Sequence, residues 1–170
     1  MIHKIDIRPE LLDELQQYSK EHYPEECCGL LTGIINHIDN EYRALPVFFH
    51  PINNVSKTQF KWDYIMDPNQ YLSVLKRTTL FNKESALHLT ATFHTHPNGR
   101  PVPSQYDVTG AAWHTVYLIY GVAADDLAAW YWDGTYFKRI SINEENITPD
   151  AVYPDGQERI WESWKDVGSL

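Results

Sequence analysis

The chain has 170 residues, 43% of them hydrophobic and 14% aromatic, which suffices for one core and argues against two enzymatic domains. Its 23 acidic residues outnumber its 14 Lys and Arg residues, and the net charge of -9 disfavours binding to the phosphate backbone of nucleic acids. The longest apolar stretch, Val116 to Ala124, is about half of what spans a bilayer, so the sequence predicts no membrane insertion.

The cysteine content and the N-terminal sequence bear on the cellular compartment. Charges are spread through the N-terminal segment, and no apolar run is followed by small residues, so it does not resemble a secretory signal. The two cysteines, Cys27 and Cys28, are adjacent, and a disulfide between neighbours would be strained. We therefore expect no disulfide framework and a cytoplasmic location.

The N-terminal half predicts two helices and two strands. In chain order these are a helix from Pro9 to Lys20, a buried strand from Cys27 to Leu31, a strand from Tyr42 to Phe49, a loop from His50 to Ser56, and a helix beginning at Asp67-Pro68. The first helix is amphipathic and is stopped by Pro24. The second helix should bury Tyr71, Leu72 and Leu75.

The C-terminal half is richer in strands. Between Leu87 and His96, apolar and polar residues alternate regularly, which predicts a half-buried strand. A helix is predicted from Ser104 to Trp113, and strands are predicted from His114 to Ala123, Leu127 to Trp132 and Thr135 to Ile142. Asp133-Gly134 between the last two is a strong hairpin signal. The order of elements predicts a single α/β domain with a mixed sheet.

The remaining tail is acidic and contains two tryptophans. From Ile142 to the end, seven acidic and two basic residues give a net charge of -5. Trp161 and Trp164 are three residues apart and would share a face of a helix. We expect this face to pack on the body of the protein, and a docking surface for a partner is the alternative.

Two histidines at the end of the regular strand have the spacing of metal ligands. His94 and His96 leave the same face of a strand roughly 6.6 Å apart, so both imidazoles can converge on one ion. Asp107, in the first turn of the following helix, can supply a carboxylate. Two imidazoles and one carboxylate leave a fourth position open, which is the arrangement of a catalytic zinc that lowers the pKa of its bound water to about 7.

Other polar residues have a functional and a structural interpretation. Glu26, at the start of the first core strand, is a candidate proton carrier, and Glu25 is its rival. Ser104-x-x-Asp107 also has the pattern of a capping box at a helix N-terminus. Cys28 could be a thiolate, although a buried cysteine usually acts as a small hydrophobic residue.

Together these residues resemble the JAMM metallopeptidases (MPN-plus, prokaryotic JAB type). The resemblance rests on His94-x-His96-Pro97, Ser104-x-x-Asp107 and a glutamate three residues before Gly29, and it covers residues 5 to 142. It implies a JAMM/MPN domain at residues 1–142, with a mixed β-sheet sandwiched by helices as in cytidine deaminases, followed by a tail at 143–170. It also implies one Zn²⁺ per chain on His94, His96 and Asp107, Glu26 as general base and acid, and Ser104 as a stabiliser of the oxyanion.

The resemblance further implies a substrate class. Small bacterial members of the family cut after the C-terminal glycines of ubiquitin-like sulfur-carrier proteins, so we expect a cytoplasmic isopeptidase or peptidase. The short chain leaves little room for insertions that grip ubiquitin, which argues against ubiquitin itself. A non-catalytic scaffold of the same fold and a zinc hydrolase of a small molecule or cell-wall peptide are the alternatives. The sequence leaves the oligomeric state open, a homodimer included.

Overall fold

The computed structural model describes residues 1–57, 63–147 and 150–152, and the backbone of 158–160. In chain order the elements are β1 (Ile2–Ile5), α1 (Pro9–His22), β2 (Cys28–Ile38), β3 (Glu41–Ile52), α2 (Pro68–Leu75), β4 (His88–His96), α3 (Gln105–Gly110), β5 (Val116–Gly121), β6 (Asp126–Trp132), β7 (Phe137–Ile142), β8 (Asp150–Val152) and β9 (Glu158–Ile160). Among the described residues, no helix has the length and apolar character needed to cross a bilayer.

In the described part of the chain, nine strands form one mixed sheet that closes on itself. The strand order is β1-β3-β2-β4-β5-β6-β7-β8-β9, and β1 pairs in parallel with both β3 and β7. Closure occurs where Lys4 and Ile5 pair with Ser141 and Ile142. The expected single α/β domain with a mixed sheet is present, and strands dominate it. The sequence did not predict β1, because four residues are too few to show a periodic pattern.

The three helices found among the described residues cover both faces of the sheet. Leu11 and Leu15 of α1 pack in a core cluster with Leu118 of β5. Alternate residues of β5 point the other way, and Ile119 packs with Val108 of α3. The helix α2 packs its buried side on β2 and β4, in a third cluster. Helix α1 therefore fills the inner face of the curved sheet, and α2 and α3 cover its outer face.

The strand β4 is buried on both faces, and the prediction of a half-buried strand was wrong. It lies between β2 and β5, and its polar residues Thr90, Thr92 and His94 are as buried as its apolar ones. An interior strand of a sheet with layers on both sides has no solvent face, whatever the polarity of its residues. The alternation of apolar and polar residues therefore distinguishes the side chains that face the two layers, and it does not distinguish buried from exposed ones.

Other boundaries and one burial differ from the sequence prediction. The strand β2 continues to Ile38 rather than ending at Leu31, and α3 ends at Gly110 rather than at Trp113. The strand β3 continues to Ile52, so the first part of the predicted loop pairs with β2. In α2, Leu72 is 43% exposed, whereas Val74 and Leu75 are buried. The helix buries one narrow side against β2 and β4, and Leu72 lies outside that side.

The predicted hairpin at Asp133-Gly134 is confirmed. The strands β6 and β7 pair antiparallel, and Gly134 has a φ of 97°, which a glycine adopts without strain. The Asp133 carboxylate accepts hydrogen bonds from the backbone N–H groups of Thr135 and Tyr136 at 2.9 and 3.1 Å. The turn is therefore held by the side chain of the residue that begins it.

Part of the tail after Ile142 continues the sheet. The strand β8 pairs antiparallel with β7, and Ala151 and Val152 are buried. Val152 packs in the cluster on the outer face of β5 to β7. The prediction that Trp161 and Trp164 share a helical face concerns positions outside the described residues.

Candidate metal centre

Three side chains converge where β4 ends and α3 begins. His94 and His96 are on β4, and Asp107 is in the first turn of α3. The two Nε2 atoms are 3.1 Å apart. The carboxylate of Asp107 lies 2.9 Å from Nε2 of His94 through Oδ1 and 3.3 Å from Nε2 of His96 through Oδ2. The structure thus brings together the three residues that the sequence proposed as ligands.

The spacing of these atoms suits a tetrahedral zinc ion. Zinc binds imidazole nitrogen and carboxylate oxygen at about 2.0 to 2.2 Å, which places neighbouring donors roughly 3.3 Å apart in a tetrahedron. The separations of 2.9, 3.1 and 3.3 Å are close to that value, and the two that involve Asp107 are formed through different oxygens of its carboxylate. Three donors of this type occupy three corners and leave a fourth corner for water or substrate.

The loop after β4 orients His96. Its Nδ1 donates a hydrogen bond to the backbone carbonyl of Arg100 at 2.8 Å. A proton held at Nδ1 leaves the lone pair on Nε2, which is the atom that faces the cluster. His94 is fixed differently, since its ring stacks on Tyr64 with centroids 4.6 Å apart. Its buried Nδ1 has no hydrogen-bond partner among the residues that the structure describes.

Ser104 and Asp107 form a capping box that also aims the carboxylate. The Ser104 hydroxyl accepts from the N–H of Asp107 at 3.2 Å, and Oδ2 of Asp107 accepts from the Ser104 N–H at 2.6 Å. The hydroxyl also donates to Oδ2 at 2.6 Å. Oδ1 remains directed at His94. The structural and functional interpretations of this pair are therefore compatible, because the cap holds the carboxylate against the imidazoles.

Burial and mutual contact shift the pKa values of all three residues in the cluster. Burial lowers the pKa of His94 despite the nearby Asp107. Burial also acts to lower the pKa of His96, but the hydrogen bond and charge of Asp107 outweigh it and raise that pKa. Burial disfavours ionisation of Asp107, yet the two imidazoles hold the pKa of its carboxyl well below the usual range. An ionised carboxylate beside a neutral His94 suits ligation.

Glu26 lies beside the cluster, and its neighbour Glu25 does not. Glu26 is 8% exposed and lines the same cleft as Asp107, whereas Glu25 is exposed. Burial raises the pKa of Glu26 to about 8; His96 lowers it, and Asp107 and Asp63 raise it. A carboxyl group that titrates near neutral pH can both accept and donate a proton.

The buried positions of the two cysteines keep their thiols protonated. Both are buried, and burial raises the pKa of Cys27 to about 11 and that of Cys28 further. Cys28 donates a weak hydrogen bond from its thiol to the carbonyl of Ile52 at 3.4 Å. These are protonated thiols in a core, which supports the hydrophobic interpretation of Cys28 over the thiolate one.

A cleft of about 520 Å³ borders the cluster at Asp107. Glu26, Ser104 and Asp107 line one part of it. The remainder includes residues that the sequence analysis did not propose for the site, namely Tyr64, Ile65, Met66, Thr92, Tyr106, Trp113 and Tyr117. The period of β4 could have indicated Thr92, which shares a face with His94, but the aromatic residues come from distant segments that no local pattern links.

The chain has recognisable relatives among known proteins. A model of the prokaryotic homologues of the JAB domain matches residues 8–133. A Haloferax volcanii protein named desampylase is 27% identical over 142 residues, which cover 82% of this chain and 93% of the relative. A Thermus thermophilus protein named a probable TtuB-protein conjugate cleaving protease is 31% identical over 111 residues, which cover 65% of this chain and 66% of the relative.

Solved structures share the fold. A Desulfitobacterium hafniense protein is similar with a TM-score of 0.61 and 23% identity, over 83% of this chain and 94% of that one. A Salinibacter ruber protein is similar with a TM-score of 0.52 and 22% identity, over 83% and 93% of the respective chains. At this level of identity, the likeness concerns the fold alone.

Proposed function

This chain belongs to the family of prokaryotic homologues of the JAB domain, and on that premise we propose that it is a zinc-dependent isopeptidase or peptidase. The observation that carries the proposal is the convergence of two imidazole nitrogens and the carboxylate of Asp107, with separations of 2.9 to 3.3 Å between the facing atoms. The pKa of Glu26 near 8 at the same cleft supports it, because hydrolysis of an amide needs a proton carrier.

In this proposal, His94, His96 and Asp107 hold one zinc ion per chain. Bound there, zinc would acidify a water molecule and polarise the scissile carbonyl. The residues of the chain fix the donors beforehand: Arg100 supplies the carbonyl that sets the tautomer of His96, and Ser104 holds the carboxylate of Asp107. A site built in advance avoids reorganisation when the substrate arrives.

Glu26 and Ser104 act on the reacting groups. The carboxylate of Glu26 takes a proton from the attacking water and returns it to the leaving amine. Ser104 offers its hydroxyl to the oxyanion of the tetrahedral intermediate, for which that hydroxyl must turn away from Oδ2 of Asp107. Both groups line the cleft in which a scissile bond would lie.

The substrate that we propose is a ubiquitin-like sulfur-carrier protein, cut after its C-terminal glycines. One relative is named for cleaving conjugates of TtuB with proteins, and another is named a desampylase. A glycine tail suits a buried centre, because only glycines let a backbone approach it without side chains in the way. The proposal includes the finer assignments: a cytidine-deaminase-like catalytic domain at 1–142, an accessory tail at 143–170 and a cytoplasmic location.

The test combines zinc analysis with cleavage of a fusion that carries a sulfur-carrier protein before the scissile bond. We expect Glu26→Gln to keep zinc and lose turnover, and His94→Ala to lose both. The matched controls are Glu25→Gln, at an exposed neighbour, and His88→Ala, since His88 contacts Thr79 at the far end of β4. Wild-type cleavage in Glu26→Gln or His94→Ala would refute the assigned roles, and an inactive zinc-loaded wild type would favour a scaffold or another substrate.

A further inference from the structure

The cleft is larger than the reacting groups require. Beyond Glu26, Ser104 and Asp107 it extends between four aromatic side chains, which we call the aromatic half: Tyr64, Tyr71, Trp113 and Tyr117. A volume of about 520 Å³ is within the range of sites that enclose a ligand of many atoms. A pair of glycines at the scissile bond would leave much of it empty, so the aromatic half can receive a further segment of the substrate.

Thr92 forms part of the wall of this cleft and has an unusual hydroxyl. It lies two residues before His94 on the same face of β4, roughly 6.6 Å along the strand. Its side chain is 4% exposed, and Oγ1 has no hydrogen-bond partner in the described part of the chain. Buried hydroxyls without partners are rare in folded proteins, because losing water without a replacement is unfavourable.

Two neighbouring tyrosine hydroxyls have hydrogen-bond partners other than Thr92. The hydroxyl of Tyr117 accepts from the backbone N–H groups of Ala112 and Trp113 at 3.2 and 3.4 Å. The indole N–H of Trp113 donates to the hydroxyl of Tyr71. None of these bonds involves Thr92. Its Oγ1 is buried in this structure, and one rotation about χ1 would exchange it with the methyl group. That rotation would let the hydroxyl bind a group that enters the cleft.

We propose that Thr92 is a substrate-binding residue, whose hydroxyl forms a hydrogen bond with the backbone of an extended polypeptide segment lying in the aromatic half, next to the scissile bond. An extended segment carries a carbonyl and an N–H at every residue, so it can use the hydroxyl as donor or acceptor. Its side chains or methylene groups would pack on the four rings. The inference rests on the proposed function and assigns to Thr92 a part of the specificity of that site.

The binding test uses zinc-loaded Glu26→Gln protein as the background, so that the ligand stays intact. The probe is a fluorescent peptide whose C-terminal diglycine is joined to the ε-amine of a lysine within a second peptide. We expect Thr92→Val to weaken binding about 3- to 10-fold, the loss that corresponds to one hydrogen bond. Thr92→Ser, which keeps the hydroxyl, should bind within about twofold of the background protein.

Thr90→Val is the matched control, because Thr90 is a buried threonine two residues from Thr92 on β4 and donates its hydroxyl to the carbonyl of Leu31 at 2.9 Å. It should lower the thermal midpoint, since it leaves that carbonyl without this donor, and leave peptide affinity unchanged. Thr92→Val should keep or raise the midpoint, because it removes an unpartnered hydroxyl at nearly constant shape. If Thr92 had a structural role instead, Thr92→Val would lower the thermal midpoint and leave the peptide affinity unchanged.

Gly110 gives a second, independent variant. It lines the cleft, and an added Cβ there would meet no atom within 4 Å. Gly110→Leu should therefore fold and bind zinc but reduce peptide affinity roughly tenfold, which corresponds to about 1.4 kcal/mol, whereas Gly110→Ala should have little effect.

The outcomes separate this inference from the proposed function. Unchanged peptide affinity in Thr92→Val, or no binding of the peptide to the background protein, would overturn the role of Thr92. A wild type that binds the peptide in a manner sensitive to Thr92, yet does not cleave it, would refute the proposed function and leave the subsite supported.

Discussion

Each proposed ligand is fixed by a contact outside the metal cluster. His96 is held by the carbonyl of Arg100, His94 stacks on Tyr64, and Asp107 is held by Ser104. Contacts of this kind orient a donor atom before the ion arrives, and their loss typically reduces metal affinity 10- to 100-fold. At the scale of single residues, the site should therefore be sensitive to side chains that do not touch the metal.

Ser104→Ala tests this dependence. The change removes the helix cap and one hydrogen bond to Asp107, so we expect a loss of about 1 kcal/mol in unfolding free energy and roughly tenfold weaker zinc binding. Competition with a chromogenic chelator measures the affinity, and urea denaturation measures the stability. Ser104→Thr, which keeps a capping hydroxyl, should retain both. Unchanged zinc affinity in Ser104→Ala would show that the cap does not orient the carboxylate.

The raised pKa of Glu26 predicts that the folding stability of the metal-free protein depends on pH. Burial raises its pKa from 4.5 to about 8, so the folded chain keeps a proton that the unfolded chain releases between these values. Folding stability contributed by this group therefore falls as the pH rises from about 4.5 to about 8 and is constant above. Glu26→Gln should remove this fall and be more stable than wild type at about pH 9, by an amount on the order of a few kcal/mol.

Urea denaturation of chelator-treated wild type and Glu26→Gln, at about pH 5 and about pH 9, measures this difference. Glu25→Gln is the control, because the exposed Glu25 should show no comparable effect. An equal stability difference between Glu26→Gln and wild type at both pH values would mean that Glu26 is ionised in the folded protein across the whole range.

At the scale of elements, the position of the loop after β4 depends on the end of β5. Gly121 pairs with His96, and a Cβ added to Gly121 would lie 2.6 Å from the carbonyl oxygen of Gly99. The loop contains Arg100, whose carbonyl orients His96. The close approach of the two backbones thus connects β5 with the geometry of the proposed metal site.

Gly121→Ala should displace this loop. We expect a loss of about 1 to 3 kcal/mol in stability, the usual effect of overpacking, together with weaker zinc binding. Zinc titration and urea denaturation measure the two effects, and Gly110→Ala is the matched control, since a Cβ at Gly110 meets open space. Wild-type zinc affinity in Gly121→Ala would contradict the proposed link between β5 and His96.

The sequence predicted most elements because their patterns are local. The strand carrying His94 and His96, the helix start at Ser104 and the hairpin at Asp133 each depend on neighbours along the chain, and each is present. The burial of β4 on both faces could not be predicted in the same way, because it depends on which elements cover it. The cleft lining was missed for the same reason: Tyr64 and Trp113 meet only after folding.

At the scale of the whole molecule, the sheet extends past the last strand of the proposed catalytic domain. Val152 of β8 packs against the cluster that includes Trp130 and Phe137, and Glu144 forms an ion pair with Lys4 at 2.6 Å. The side chain of Glu144 is exposed, so this ion pair contributes little to the free energy of unfolding. Burial of the apolar residues of β8 is the larger contribution from this segment.

Truncation after Ile142 should therefore destabilise the chain without removing the metal site. We expect a loss of about 2 to 4 kcal/mol in unfolding free energy from the uncovered apolar surface, with one zinc ion still bound. Val152→Ala should reproduce part of this loss at constant chain length. Unchanged stability in both variants would mean that β8 is dispensable, and loss of zinc on truncation would contradict an accessory role for residues 143–170.

All the chemistry proposed for this chain depends on one zinc ion held by His94, His96 and Asp107. Native mass spectrometry of the zinc-equilibrated chain detects that ion, and we expect one zinc ion per wild-type chain and none on folded Asp107→Ala. A folded wild type without zinc, or an Asp107→Ala variant that keeps the ion with wild-type affinity, would contradict it.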